Sequence, residues 1–327
     1  MISRQEEQPI LDSLGKCPAA AILGPRQVGK TTLLHRFVEN LDKKKVLFVN
    51  GDDITARQFL ESQSIENLKD FVGRHHYLII DEAQYVRNIG LNLKLIVDHI
   101  PGIKVIATGS SSFDLAQNIV EPLTGRRIVL KLFPLDQMEI STREKLHETT
   151  ANLETRLIYG SYPEIITVRD NKWREEYLRG LVASYLFKDI LALEGIRFSE
   201  KLLLLLKLIA FQIGTEVSLS ELGKQLSMSK NTFERYLDLL EKVFVLFRLS
   251  GFSRNLRKEI TKSHRYFFYD VGIRNAVVGM FNPLNLRDDI GKLWENYIIA
   301  EIQKNREYQR MSSQFFFWRT YDRKEID

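Results

Sequence analysis

The stretch best equipped for chemistry is residues 24–31, Gly-Pro-Arg-Gln-Val-Gly-Lys-Thr. Gly24 and Gly29 lack a Cβ, so the chain between them can turn its N–H groups inward around an anion. Lys30 follows as a point charge, and Thr31 as a hydroxyl able to ligand a hard cation. In the order G-x-x-x-x-G-K-T these residue types suit the phosphates of a nucleotide, with Lys30 directed to the β- and γ-phosphates and Thr31 to Mg²⁺. Gln27, Val28 and Thr32 complete the candidate binding stretch. Arg26 and Gln27 lie inside the loop, where side chains more often point away from the phosphates.

Such a loop works between a strand and a helix, because the helix N-terminus then faces the phosphate. Ala19–Leu23 is an apolar run of strand length, and Thr31 to Val38 has helical periodicity. Further strands are expected at Lys45–Asn50, Tyr77–Ile80, Lys104–Thr108 and Ile128–Leu132. The third ends in Asp81-Glu82. Asp81 is placed to hold the Mg²⁺ shell and Glu82 to orient or deprotonate an attacking water; two solvated loop acids are the alternative. The fourth leads into Gly109-Ser110-Ser111-Ser112. Ser110 is a candidate sensor of the γ-phosphate, or else a plain strand-to-helix cap. Arg126 and Arg127 precede the fifth strand. Either is a candidate arginine finger, in cis or from a neighbouring subunit, or a structural arginine. Strands alternating with helices predict an α/β fold, a parallel sheet with helices on both faces.

The bulk numbers agree with an ordinary globular chain. It has 327 residues, 44% hydrophobic and 27% charged, with a net charge of +5. That length predicts more than one domain. No apolar run has the length of a membrane span, and the N-terminus has no signal-peptide pattern. One cysteine, Cys17, excludes an internal disulfide and a Cys-rich metal site. The expected compartment is therefore cytoplasmic. The basic balance is compatible with nucleic-acid contact but does not establish it.

Taken together, Gly24–Thr32, Asp81-Glu82-Ala83-Gln84 and Thr108-Gly-Ser-Ser resemble a prokaryotic family of AAA-type P-loop ATPases. That family carries a C-terminal nuclease-like domain of unknown function. The resemblance continues through Gly160-Ser161-Tyr162-Pro163-Glu164, Lys188-Asp189-Ile190 and Tyr266 to Asn275. It extends to Gly291-Lys-Leu-Trp-Glu295-Asn296, Trp318-Arg319 and Glu325-Ile326-Asp327. It implies ATP as ligand and Mg²⁺ as cofactor. One departure is Leu135-Asp136-Gln137, where the family usually has a Leu-Ser-Phe-type segment.

Four domains are expected: an ATPase domain over 1–142, a helical region over 143–210, a winged helix over 211–283, and a truncated restriction-endonuclease-like tail over 284–327. In the helical region, Leu153, Leu157 and Ile158 share one face, and Leu178, Leu181, Val182 and Tyr185 another. Ser218 or Ser220 is placed to cap one short helix and Ser229 a second, bearing Phe233, Leu237, Leu240 and Phe244. Two strands, Val243–Leu249 and Tyr266–Tyr269, flank a connector with Arg254, Arg257, Lys258, Lys262 and Arg265. Lys230, Asn231 and Arg235 could face a DNA groove. Glu234, Asp238 and Glu241 on the same helix oppose a phosphate backbone, so double-stranded DNA and a protein partner both stay open. In the tail, Glu295 on a helix and Asp327 on a strand that Glu325-Ile326-Asp327 begins or ends resemble two of a nuclease's Mg²⁺ ligands. The chain stops before the Glu-x-Lys strand that would complete the site. A fragment or truncated product without DNA cleavage is expected, with Glu295 and Asp327 structural or vestigial.

The expected function is an ATPase whose nucleotide state is coupled to DNA or protein binding. A nucleotide-gated DNA-binding regulator is the alternative, as is an ATPase-linked nuclease of a mobile element or defence system. An oligomer is compatible with all three.

Overall fold

The computed structural model describes residues 2–110, 123–184, 199–252, 264–319 and 325–326. Ser111, Ser112, Tyr185, Lys188, Asp189, Ile190, Arg254, Arg257, Lys258, Lys262 and Asp327, all singled out above, lie outside the described residues. The chain divides into two compact units, Met1–Phe133 and Pro134–Asp327. No described helix is long and apolar enough to cross a membrane.

The first unit runs α1 (Glu7–Lys16), β1 (Ala19–Leu23), α2 (Lys30–Glu39), β2 (Val46–Asn50), α3 (Ile54–Leu60) and α4 (Ile65–Val72). It continues with β3 (Tyr77–Asp81), α5 (Ile89–His99), β4 (Lys104–Gly109) and β5 (Arg127–Lys131). Its five strands form one parallel sheet in the order β2-β3-β4-β1-β5, at the positions expected from the apolar runs. Every residue of β1 is buried, because helices cover a parallel sheet on both faces and leave no polar side to alternate with. Leu33, Leu34 and Phe37 of α2 are also buried. β4 lies between β1 and β3, pairing Leu23 with Gly109 on one side and Ile80 with Ala107 on the other. The ends of these three strands therefore open at one edge.

The second unit begins with α6 (Gln137–Ser141), α7 (Leu146–Tyr159), α8 (Pro163–Thr167), α9 (Asn171–Ser184) and α10 (Ser199–Phe211). The unusual Asp136 has a local use. It caps α6 by accepting from Glu139 N, and Glu139 reciprocates on Asp136 N. Next come β6 (Glu216–Val217), α11 (Leu219–Gln225), α12 (Lys230–Lys242), β7 (Leu246–Gly251) and β8 (His264–Phe268). Ser218 and Ser229 cap α11 and α12. The strand expected from Val243 starts three residues later, at Leu246. Residues 243–245 close the helix instead, with Phe244 left-handed at φ +60 and Val245 N bonded to Leu240 O.

The last elements are α13 (Val271–Val278), α14 (Ile290–Tyr308), β9 (Phe316–Arg319) and β10 (Glu325–Ile326). The sheet order is β10-β9-β7-β8-β6. β9 lies parallel to β7, so strands from residues 211–283 and from the tail share one sheet.

The motifs quoted for the second unit meet as a buried polar network. Asp270 caps α13 through Ile273 N and accepts from Ser161 N at 2.7 Å. Burial raises the Asp270 pKa, and Lys304 with these main-chain bonds works against the rise. A Cβ on Gly160 would lie 2.0 Å from Asp270 Oδ1, so the residue there must be glycine. Asn275 donates to the carbonyls of Leu157 and Ile158, and Arg274 to the Ala210 carbonyl and to Asp289. Asn296 takes both main-chain groups of Phe268, accepting from its N–H at 2.8 Å and donating to its carbonyl at 2.9 Å.

Candidate functional site

The candidate site sits at the C-terminal edge of the parallel sheet, where residues 24–29 leave β1 and enter α2. Gly24 lies against the backbone after β5; a Cβ there would come within 2.0 Å of the Leu132 carbonyl oxygen. Gln27 (φ +59) and Gly29 (φ +96) are both left-handed, which bends the loop back on itself. The Gln27 side chain is exposed, as are Thr31 and Thr32 in the first turn of α2. Val28 is fully buried. Arg26 turns aside to the Tyr85 hydroxyl at 3.2 Å. Lys30 is 5% exposed, and its Nζ donates to the carbonyls of Gly24 (2.9 Å) and Pro25 (2.8 Å). The cation is thus held within the curl of the loop.

The remaining candidates gather around Asp81. Thr31 Oγ1 donates to Asp81 Oδ2 at 2.6 Å, linking the loop to the end of β3. Thr108, at the end of β4, donates to the other carboxylate oxygen. It can do so because β4 separates β1 from β3. Thr108 Oγ1 also accepts from Glu82 N at 3.1 Å, and Asp81 Oδ1 accepts from the same N–H at 3.2 Å. These bonds fix Glu82 in a left-handed conformation, φ +51, which a non-glycine residue adopts at a cost. Gly51 makes room for that turn, since a Cβ there would lie 2.3 Å from the Glu82 carbonyl oxygen. Gln84 Nε2 donates to the Glu82 carboxylate and to Ser110 Oγ, the latter at 3.3 Å. Ser110 is buried at the end of β4. The structure therefore brings together Lys30, Thr31, Asp81, Glu82 and Ser110.

Arg126 does not join them. Register pairs Arg127 with Ala19 and Lys131 with Leu23, so Arg126 lies at the opposite edge of the sheet. Arg126 precedes Arg127, so five strand steps of about 3.3 Å separate it from Lys131, the partner of Leu23. Its guanidinium is ion-paired with Asp98. Arg126 is thus not among the side chains at the loop, and Arg127 begins the strand at the same, opposite edge. Burial lowers the Arg127 pKa. Glu295, the tail candidate, lies in the second unit, 3.8 Å from Arg265 Nη1. It also packs on left-handed Gly214, where a Cβ would be 2.8 Å from Glu295 Oε1.

Thr108 and Gln84 are contributors that the sequence quoted but gave no role. Their partners are set by strand order and by a turn, neither of which is a spacing signal. Arg4 had no signal at all. It is 9% exposed and donates to the Val28 carbonyl at 3.0 Å and the Phe133 carbonyl at 2.5 Å.

The donor set fits a nucleotide with a divalent cation. The loop is closed by glycines that a Cβ would disrupt, the lysine is buried inside it, and a hydroxyl and a carboxylate are already in contact. The first unit has an α/β fold with a five-stranded parallel sheet, the arrangement of P-loop NTPases. Residues 16–141 match the family described as an AAA domain. Residues 150–284 match a domain of unknown function, DUF8612, and residues 290–327 another, DUF4143. An uncharacterized protein of Mycobacterium tuberculosis is 24% identical over 321 residues, covering 96% of this chain and 68% of that protein. An uncharacterized protein of Haemophilus influenzae is 24% identical over 284 residues, covering 79% of this chain and 68% of that one. Among solved structures, a Walker-type ATPase of Pyrococcus abyssi shares the fold with a TM-score of 0.57 at 18% identity. The match covers 85% of this chain and 96% of that one.

Proposed function

We propose that the chain is an ATPase that binds ATP with Mg²⁺ in its first unit, hydrolyses it slowly, and passes its nucleotide state to its second unit. The observation that carries this reading is the bonded series Thr31–Asp81–Thr108–Glu82 at the mouth of the loop. Thr31 and Asp81 would hold Mg²⁺, which when bound neutralises phosphate charge. Main-chain N–H groups of residues 24–29 and Lys30 would bind the phosphates. Glu82 would take or orient the proton of the attacking water, and Ser110, bridged to it through Gln84, would register the terminal phosphate. The reading places the protein in the cytoplasm.

For the second unit, the reading is a winged helix that meets a partner. Helices α11 and α12 are joined by a short turn and followed by the β7–β8 hairpin, with β6 antiparallel on β8. A protein partner is favoured over double-stranded DNA by the charges on α12. Glu234 pairs with Lys230, Asp238 with Lys242 and Glu241 with Arg248. Phosphates would have to break these pairs and meet their carboxylates. For the tail, the Arg265 contact favours a structural role for Glu295.

The test is ATP turnover by wild type, Lys30→Ala and Glu82→Gln, each with and without double-stranded DNA. Turnover lost in both variants, with ATP still bound by Glu82→Gln, is the expected result. Equal turnover in wild type and Lys30→Ala would sink the ATPase reading. Stimulation by DNA that fades with salt would replace the protein partner with DNA.

A further inference from the structure

We infer that Arg4 is a positioning residue of the nucleotide site, locking the peptide between Val28 and Gly29 in the orientation that binds phosphate. The inference rests on the nucleotide reading above. A trans peptide is planar, so its C=O and N–H point in opposite directions; no described peptide bond is cis. Arg4 Nη1 holds the Val28 carbonyl at 3.0 Å. The Gly29 N–H of the same peptide must then face the other way, toward the concave side of the loop. Nothing local enforces this. Glycine tolerates either sign of φ, and a Cβ at Gly29 (φ +96) would meet no atom within 4 Å. The residue that frees the loop to bend also frees this peptide to flip, and a flipped peptide would present a carbonyl to the phosphates.

Arg4 is built for the task. Its Nη2 holds the Phe133 carbonyl at 2.5 Å, beside Leu132, on whose backbone Gly24 packs. One guanidinium thus ties the C-terminal part of the loop to the segment that supports its start. Arg4 is itself fastened. Its N–H donates to Glu7 Oε1 at 3.0 Å, and Glu7 pairs with Arg36 of α2 at 2.6 Å. Arg36 also donates to the Ile2 carbonyl at 3.2 Å. Lysine keeps the charge but carries its donors on one nitrogen instead of a planar fork of two, so it reproduces the two-carbonyl geometry only in part.

The experiment compares Arg4→Ala and Arg4→Lys with Lys30→Ala and with Arg36→Ala, which loosens the same N-terminal segment without touching the loop. ATP affinity is measured by calorimetry, turnover at saturating ATP, and the Gly29 amide resonance in nucleotide-free, ¹⁵N-labelled protein. Loss of one hydrogen bond to a charged group predicts ATP binding about tenfold weaker in Arg4→Ala. Turnover at saturating ATP stays close to wild type, and the Gly29 resonance shifts or splits. Arg4→Lys falls between, and Arg36→Ala binds as wild type does. Unchanged affinity and an unmoved Gly29 resonance in Arg4→Ala would overturn the inference. So would equal weakening in Arg36→Ala, which would mean general loosening. If Arg4→Ala does not fold, Arg4→Lys carries the same comparison. If wild type and Lys30→Ala bind ATP alike, the nucleotide reading has failed, and the Gly29 resonance still decides whether Arg4 sets that peptide.

Discussion

Two glycines of one loop should fail for different reasons when substituted. At Gly24 the obstacle is steric. A Cβ would lie 2.0 Å from the Leu132 carbonyl oxygen and 3.0 Å from its carbon. Close carbon–oxygen contacts are about 3.3 Å or longer, so the backbone must retreat by more than an ångström. It is pinned, because Leu132 N donates to Leu23 O at 2.7 Å and the next carbonyl is held by Arg4. Overpacking of about 1–3 kcal/mol, with about 1 kcal/mol for a strained hydrogen bond, gives a loss of roughly 2–4 kcal/mol for Gly24→Ala. At Gly29 the obstacle is conformational: there is space, but φ is +96. Gly29→Ala should cost about 1–2 kcal/mol, and Gly29→Asn less, because Asn tolerates the left-handed region. At Gly24 Asn is no gentler than Ala. Urea unfolding followed by far-UV circular dichroism measures all four variants. Trp173, Trp294 and Trp318, the protein's three tryptophans, all lie in the second unit, so their fluorescence follows that unit separately. Gly24→Ala within about 0.5 kcal/mol of wild type, or Asn relieving Gly24 rather than Gly29, would refute the reasoning.

Thr108→Val removes the hydroxyl that serves both Asp81 and the Glu82 N–H; it should cost about 1–3 kcal/mol and lower turnover more than ATP affinity, read by steady-state kinetics beside calorimetry. Asp289→Asn deprives buried Arg274 and Arg287 of their carboxylate, a loss of about 3–5 kcal/mol in chemical denaturation. Burial alone would raise the Asp289 pKa, but bonds and charge from Arg287 and Arg274 bring it down to about 2. Its stabilisation is therefore complete above its ordinary 3.8 and is lost as pH falls toward about 2, a component of acid unfolding that the variant lacks. Glu241 behaves in the opposite sense. Burial raises it to about 7, with Arg248 opposing and Asp238 adding to the rise. The folded state binds this proton more tightly, so wild type loses stability as pH climbs from about 4.5 to about 7. Glu241→Gln should flatten that decline and be the more stable protein at alkaline pH, as thermal melts across the range would show.

What could be read from the sequence was what neighbours in sequence decide. The loop between Gly24 and Thr31 needs contiguous residues, and each strand of the first sheet is a short apolar run. Ser229 caps its helix three residues away. The rest depends on partners far along the chain. Arg4 reaches its carbonyls across 24 and 129 residues, and Ser161 meets Asp270 across 109. No periodicity marks such pairs. Arg126 and Arg127 are candidate fingers, in cis or from a neighbouring subunit, or structural arginines, and only the parallel register reveals that this strand start lies at the edge opposite the loop. The parallel pairing of β9 with β7 is likewise invisible from either segment alone.

The Asn296 side chain has a consequence for where the second sheet ends. β6 covers β8 only at His264 and Arg265, and Gly214 N reaches the Tyr266 carbonyl at 3.4 Å. Phe268, two residues on, turns its main chain to the same side, where a longer outer strand would have paired with it. The Asn296 amide takes that place, donor to acceptor and acceptor to donor, like one borrowed peptide group. One carboxamide on α14 thus ends the ladder, and its loss would leave both buried main-chain groups of Phe268 without these bonds.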